Sequence, residues 1–245
     1  MYKKIVILCL YVCIFYVNYI NAQYITFVIK NSTQTYVTAI NDSNYIAGYF
    51  EDPTGRIHGF IHNGVDTLII NYPSALDTYI YGLNNNMVVV GAYTITGNLT
   101  DLEGFSYDTK TNTFTDITSS WISSMDYTIA RDINDANCII GDYKQNTTHV
   151  AFSVCGGSNT IFHYNYNPTY VYGINNSGKI VGLWIDGAYR KGLIKNGNTW
   201  TEINFPGATK TNPTDINDND VIVGVYDLTK SFIYKNGVFK ELKKA

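Results

Sequence analysis

The chain has 245 residues, 17 Lys and Arg against 20 Asp and Glu, a net charge of −3, and only 15% charged residues. Its basic residues are scattered, with no run longer than a pair such as Lys243-Lys244, so the electrostatic footprint of nucleic-acid binding is missing. The 22 tyrosines point instead to a surface that works by hydrogen bonds and stacking.

The first segment reads as an address. Lys3 and Lys4 precede an apolar run over residues 5–17, and a short polar stretch ends at Asn21-Ala22. A helix that spans a bilayer needs about 20 apolar residues, more than this run offers. We therefore expect a secretory signal over residues 1–22, cleaved before Gln23. Its removal leaves 15 basic against 20 acidic residues, and no further apolar stretch of membrane length. The expectation is a secreted or periplasmic chain, one domain over 23–245, with no stable membrane insertion once the signal is gone.

The mature region repeats one pattern five times. Each copy has Thr, four residues, Ile or Leu, Asn, then Asn or Asp, a Gly six residues further on, and an aromatic two after that. The copies are anchored at Thr35-Ile40-Asn41, Thr78-Leu83-Asn84, Thr128-Ile133-Asn134, Thr169-Ile174-Asn175 and Thr211-Ile216-Asn217. Spacings of 43, 50, 41 and 42 between the Ile or Leu anchors are those of one supersecondary unit. Repeat boundaries fall near 31–73, 74–118, 119–168, 169–206 and 207–245.

Within a repeat, the first strand runs from the Thr to the Ile or Leu anchor. One of its faces ends in Ala39, Gly82, Asp132, Gly173 and Asp215, mostly small side chains that let the strand approach its symmetry mates. The Asn-Asn or Asn-Asp that follows opens a tight turn. Four residues past the anchor stand Asn44, Asn137, Gly178 and Asp220, types that enter the left-handed region cheaply. Met87 breaks this pattern, and Asn86 beside it is expected to take the role.

The second strand is apolar on both faces, as in Val89-Val90-Gly91 or Ile180-Val181-Gly182, and so must be covered on both sides. Phe50, Tyr93, Tyr143, Trp184 and Tyr226 are read as core between sheets, each ring covering the place where the nearby Gly lacks a side chain. A third strand carries a small residue before a large apolar one, from Gly59-Phe60 to Ser231-Phe232. A fourth strand follows, as in Thr67-Leu68-Ile69-Ile70.

Four antiparallel strands per repeat, five times over, predict an all-β five-bladed β-propeller, with a β-solenoid or an open repeat array as the alternative. A closed ring is expected. Residues 23–30 and 238–242 both resemble fourth strands, so there are six outer strands for five sheets, and 23–30 is a candidate closing strand. Cys138 and Cys155 remain after signal removal and lie on consecutive predicted strands, which suits a cross-strand disulfide in an oxidising compartment. Free buried thiols are the alternative, decided by register.

The Gly-rich inner strand, the Ile-Asn-Asn step and the β-branched pair before Gly, as in Gly173-Ile174-Asn175-Asn176-Ser177-Gly178-Lys179-Ile180-Val181-Gly182, together with His58-Gly59-Phe60, resemble the HAF-type extracellular repeat of bacterial exported proteins. Glu103, Val150, Lys191 and Lys230 stand where later repeats would carry the His. The resemblance implies an exported propeller-like array and no catalytic residue.

Chemistry is sparse. His58, His62, His149 and His163 show no metal-ligand spacing, and no cofactor motif occurs. Asp132 and Asp215 share one inner-strand position and are the only candidate acid pair, which would suit a propeller glycoside hydrolase. One residue earlier stand Thr38, Tyr81, Arg131, Tyr172 and Thr214, unlike side chains with planar faces and hydrogen-bond donors. They are the candidate ligand-binding set at the propeller rim, for a glycan or an extracellular protein ligand. The functional expectation is a non-catalytic binding module, with a structural or adhesive surface protein as the alternative.

Overall fold

The computed structural model describes residues 27–117 and 127–242, so the predicted signal segment and most of the candidate closing strand lie outside the described residues. Twenty strands form five sheets of four, and no helix is present among the described residues. Blade one holds β1 (Gln34–Ile40), β2 (Ile46–Glu51), β3 (Ile57–His62) and β4 (Thr67–Ile70); blade two holds β5 (Asp77–Leu83), β6 (Val88–Thr94), β7 (Glu103–Asp108) and β8 (Thr113–Asp116). Blade three runs from β9 (Tyr127–Ile133) and β10 (Ile139–Gln145) to β11 (Thr148–Cys155) and β12 (Ser158–Phe162). Blade four holds β13 (Thr169–Ile174), β14 (Ile180–Asp186), β15 (Tyr189–Asn196) and β16 (Thr199–Ile203). Blade five holds β17 (Thr211–Ile216), β18 (Ile222–Tyr226), β19 (Lys230–Lys235) and β20 (Val238–Leu242). Each sheet is antiparallel in sequence order, which makes the chain a five-bladed β-propeller.

The repeated residues explain the repeated structure. Phe60, Phe105, Phe152 and Phe232 are fully buried on the third strands, and Phe50, Tyr93, Tyr143, Trp184 and Tyr226 are buried on the second. Burying each such ring contributes very roughly 2–3 kcal/mol. The repeated Thr is a fastener: the backbone N–H of Ile29, Tyr72, Tyr164 and Phe205 donates to the hydroxyl of Thr35, Thr78, Thr169 and Thr211.

The turn Asn has two tasks at once. Its Oδ1 accepts backbone N–H groups two and four residues on, as Asn84 does from Asn86 and Val88. Its Nδ2 reaches the next blade, so that Asn41, Asn84, Asn134 and Asn175 donate to the carbonyls of Asn84, Asn134, Asn175 and Asn217.

Two local expectations are corrected. Met87 itself takes the left-handed backbone, at φ 66°, as Asn44, Asn137, Gly178 and Asp220 do, and Asn86 instead donates across to the Asp135 carbonyl. The second-strand glycines are required first by backbone approach, and the ring that lies over Gly141 and Gly224 is Phe152 or Phe232 of the third strand, not the aromatic two residues on. A Cβ on Gly48, Gly91 or Gly182 would lie within 2.0 Å of the carbonyl oxygen of Tyr36, Tyr79 or Tyr170.

Cys138 and Cys155 are bonded, with Cα atoms 4.3 Å apart, because the Ile139–Val154 pairing sets them opposite each other. Val238–Leu242 supplies the fourth strand of blade five, so every blade is built from four consecutive strands. Residues 27–30 are not a strand; Phe27 packs on Phe60 and His62 of blade one.

The ring departs from the expected closure at one junction. At four junctions the second and third strands of a blade pack on the first strand of the next, as β2 and β3 do on β5. β18 and β19 do not pack on β1 in this way. Val37 and Ile40 of β1 are consequently 49% and 65% exposed, whereas Ile80 and Leu83 at the same positions of blade two are 0% and 6%.

Candidate central binding cavity

Every inner strand carries a β-bulge at the same place. The register slips between Val37 and Ala39, Ile80 and Gly82, Ala130 and Asp132, Val171 and Gly173, and Pro213 and Asp215. The residues left without a ladder partner are Thr38, Tyr81, Arg131, Tyr172 and Thr214, the candidate ligand-binding set. A bulge re-aims the unpaired side chain, here off the sheet and into the space the blades surround. The close approach of the bulged strand is also what forbids a side chain on the second-strand glycines.

These five residues line a central cavity of about 880 Å³, within the range of small-molecule sites. The bulge residues are mid-strand, not at the rim, which is built by the Asn and Asp turns. Tyr81, Arg131 and Tyr172 come together as a unit, the guanidinium carbon 5.6 Å from the Tyr81 ring centroid and 5.9 Å from that of Tyr172. Thr38 and Thr214 stand on the same wall with their hydroxyls already committed, to the carbonyl of Ile80 at 2.9 Å and of Val223 at 3.2 Å.

Asp142, missed in the sequence, is what places the arginine. It is fully buried on β10 and accepts from Arg131 Nε at 2.8 Å, while its Oδ2 has no partner. A buried carboxylate that keeps one oxygen unpaired is costly unless its ion pair holds, so Arg131 is fixed from below. Burial alone would lower the Arg131 pKa, but the charge and hydrogen bond of Asp142 outweigh it, and the guanidinium stays protonated. The only sequence signal for Asp142 was a charged residue within an apolar second strand.

Around this unit lies a girdle of tyrosines. Tyr36 and Tyr49 stack at 4.9 Å, Tyr49 meets Tyr79 edge-on at 5.2 Å, and Tyr127 and Tyr170 flank His149 on the other side. Burial raises the phenol pKa of Tyr81, Tyr172, Tyr49 and Tyr170, and takes Tyr79 and Tyr127 to about 12. They are neutral hydrogen-bond donors with planar faces.

Asp132 and Asp215 sit one step towards the rim. Desolvation, with a smaller contribution from the Asp215 charge, pushes the Asp132 carboxyl up to about 7. Both its oxygens are engaged, accepting from Ile133 N and, in the next blade, Ile174 N, each at 2.8 Å. Asp215 accepts from Ile216 N at 2.7 Å. The glycine of the preceding blade makes room for each acid: a Cβ on Gly82 would lie 2.9 Å from Asp132 Cα, and one on Gly173 would lie 2.8 Å from Asp215 Cα.

At the rim, acids and amides alternate as Asp42, Asn85, Asp135, Asn176 and Asp218. Asn85 Nδ2 donates to Asp42 and Asp135, and Asn176 Nδ2 to Asp135 and Asp218. The cavity thus has an acidic mouth, two more acids below it, and a cation at its floor that is already paired.

Fold and cavity together define a β-propeller with an asymmetric central pocket. No family model and no curated protein matches the sequence. Solved propellers do. Virginiamycin B lyase from Staphylococcus aureus is 11% identical, with a TM-score of 0.54 over 84% of this chain and 69% of that one. A mutant Aleuria aurantia lectin in complex with α-methyl-L-fucoside is 11% identical, with a TM-score of 0.51 over 86% and 76%. A chain of a nidogen/laminin complex is 9% identical, with a TM-score of 0.54 over 84% and 78%. At such identities the likeness is one of fold.

Proposed function

We propose that this chain is an exported, non-catalytic recognition module that binds a neutral carbohydrate in its central cavity. The observation that carries the reading is the bulge set: five equivalent positions, all aimed into one cavity, hold unlike side chains while the scaffold around them repeats. A symmetric frame acquires one asymmetric site in this way. Tyr81 and Tyr172 offer planar faces to a sugar ring, the free edge of Arg131 offers donors, and the tyrosine hydroxyls extend the polar surface. The acidic mouth disfavours an anionic ligand, and the pairing of Arg131 with Asp142 leaves no net positive charge at the floor. A lectin of similar fold holds a fucoside, which fits a sugar at a propeller but does not specify one for this chain. The Cys138–Cys155 bond fits an oxidising, extracellular setting and the HAF-type resemblance.

A glycan array probed with the mature protein tests this, with the Tyr81→Ala/Tyr172→Ala variant as the control. Binding to a defined set of neutral glycans that the variant loses supports the reading; an array blank for both opposes it.

A hydrolase is the second reading, favoured by the raised pKa of Asp132. Its two oxygens are spent on backbone N–H groups that tie blade three to blade four, so the group that would donate the proton already has a structural task. Glycan turnover that disappears in Asp132→Asn would establish the hydrolase.

A further inference from the structure

The junction between blades five and one holds two complementary apolar lips. Val37, Ile40 and Val223 are 49%, 65% and 38% exposed. Their equivalents are buried wherever two blades meet: Ile80, Ala130 and Val171 at 0–2%, Leu83, Ile133, Ile174 and Ile216 at 4–6%, and Ala47, Val90, Ile140 and Val181 at 0%. At the four packed junctions the next blade covers these positions.

Polar groups at the junction are left over in the same way. Asn41, Asn84, Asn134 and Asn175 are buried and reach the following blade, whereas Asn217 is exposed. Asp132 Oδ2 takes the N–H of Ile174 in blade four; by the repeat, the donor equivalent to it for Asp215 would be the Ile40 N–H of blade one. Asp42, Asn85, Asp135 and Asn176 each donate a backbone N–H to the side chain of the next rim residue, and for Asp218 that residue is Asp42.

One feature opposes closure. Alternating acids and amides satisfy each other in pairs, but five positions are an odd number, so one junction must set two acids side by side. The rim order Asp42, Asn85, Asp135, Asn176, Asp218 puts that conflict between Asp218 and Asp42, at the one unpacked junction. Apolar burial favours closing the lips, and like charge favours parting them.

We propose that this junction is a seam which the chain closes on itself, and that the Asp42–Asp218 pair holds it open. The closed form gains the Asn217 to Asn41 carbonyl bond, the Asp215 to Ile40 N–H bond and the burial of Val37, Ile40 and Val223. Residues of both lips, Thr38 to Asp42 and Thr214 to Asn219, also line the central cavity, so the seam is a lateral gate to it. This stands whether or not the cavity's ligand is a carbohydrate.

Spin labels at Val65→Cys and Lys240→Cys, on exposed outer positions of blades one and five, report the gap in the full chain with its native disulfide. The expected result is a long or divided distance distribution that Asp42→Asn shifts to a single shorter one, since an amide there can donate to Asp218. Asp66→Asn, on a distant turn of blade one, should leave the distribution as it is. Alkylation of Ile40→Cys gives a second readout that needs no label pair, and it should slow at least tenfold when Asp42→Asn is added. Identical distances and alkylation rates with and without Asp42→Asn would overturn the proposal. So would a shorter distance that appears only with a doubled mass, which would make a second copy the partner of the lips.

Discussion

Met87 holds a backbone φ of 66° where the equivalent turns use Asn, Gly or Asp. A flexible unbranched side chain tolerates that strain, but a β-branched one does not. Met87→Val should therefore cost about 1–3 kcal/mol, and more than Met87→Leu, which keeps an unbranched Cβ and the packing on Leu83 and Val89; thermal denaturation of the two variants checks this. A pH effect belongs to Asp132. Its unfolded carboxyl titrates near 3.8 and its folded one at about 7, so between these values the folded state holds more protons than the unfolded state. Stability contributed by the neutral acid is present below this window and is lost as pH rises through it. Denaturant unfolding at pH 5 and pH 7 should show that fall, and Asp132→Asn should flatten it. An unchanged slope would assign the fall to Asp215, whose carboxyl is also raised by burial. Which residues fill the five equivalent positions was plain in the sequence. That Asp142 is buried beneath Arg131 was not, because a single acid in an apolar strand has no periodicity to betray it.

The bulged inner strand is the element on which the site depends. Gly91 exists to let Tyr79 approach, and a Cβ there would lie 1.9 Å from the Tyr79 carbonyl oxygen. Gly91→Ala should thus cost more than about 3 kcal/mol, at or above the upper range for overpacking, and should disturb Tyr81 and its cavity wall. A melting scan with tyrosine fluorescence would register both, and a variant as stable as the parent would contradict the bulge argument. The disulfide staples the second and third strands of blade three across a separation of 17 residues. Its reduction should cost about 3 kcal/mol on loop-closure grounds, read as a Tm shift of roughly 6–12 °C. Strand order and blade size were legible because the five copies keep their Thr, Asn, Gly and aromatic anchors. The bulge was hidden, since alternation shows which face a residue takes and not where the count slips by one. Only the Gly at a fixed distance from each anchor hinted at it.

For the whole molecule, five copies of one motif build the frame and the departures from the motif carry the chemistry. The sequence placed Tyr81, Arg131 and Tyr172 near one another by assuming radial symmetry, and the blades do bring them together. Closure could not be read in the same way. The repeat pattern treats all five junctions alike, whereas the outcome at the fifth depends on the parity of the rim and on exposed lips that only the assembled ring reveals. The described residues contain no helix long and apolar enough to cross a membrane. Ligand recognition at the bulge residues inside the ring is the proposal on which the functional reading turns. Calorimetric titration of an array-selected neutral glycan into the mature protein and into its Tyr81→Ala/Tyr172→Ala variant, each with its melting temperature, tests this most directly. Binding should be lost while the variant still melts cooperatively as a folded protein, its transition lowered only by the packing that Tyr81 gives the cluster of Ala92 and Ile129. Retained affinity in the variant, or loss of binding only in step with loss of the fold, would contradict it.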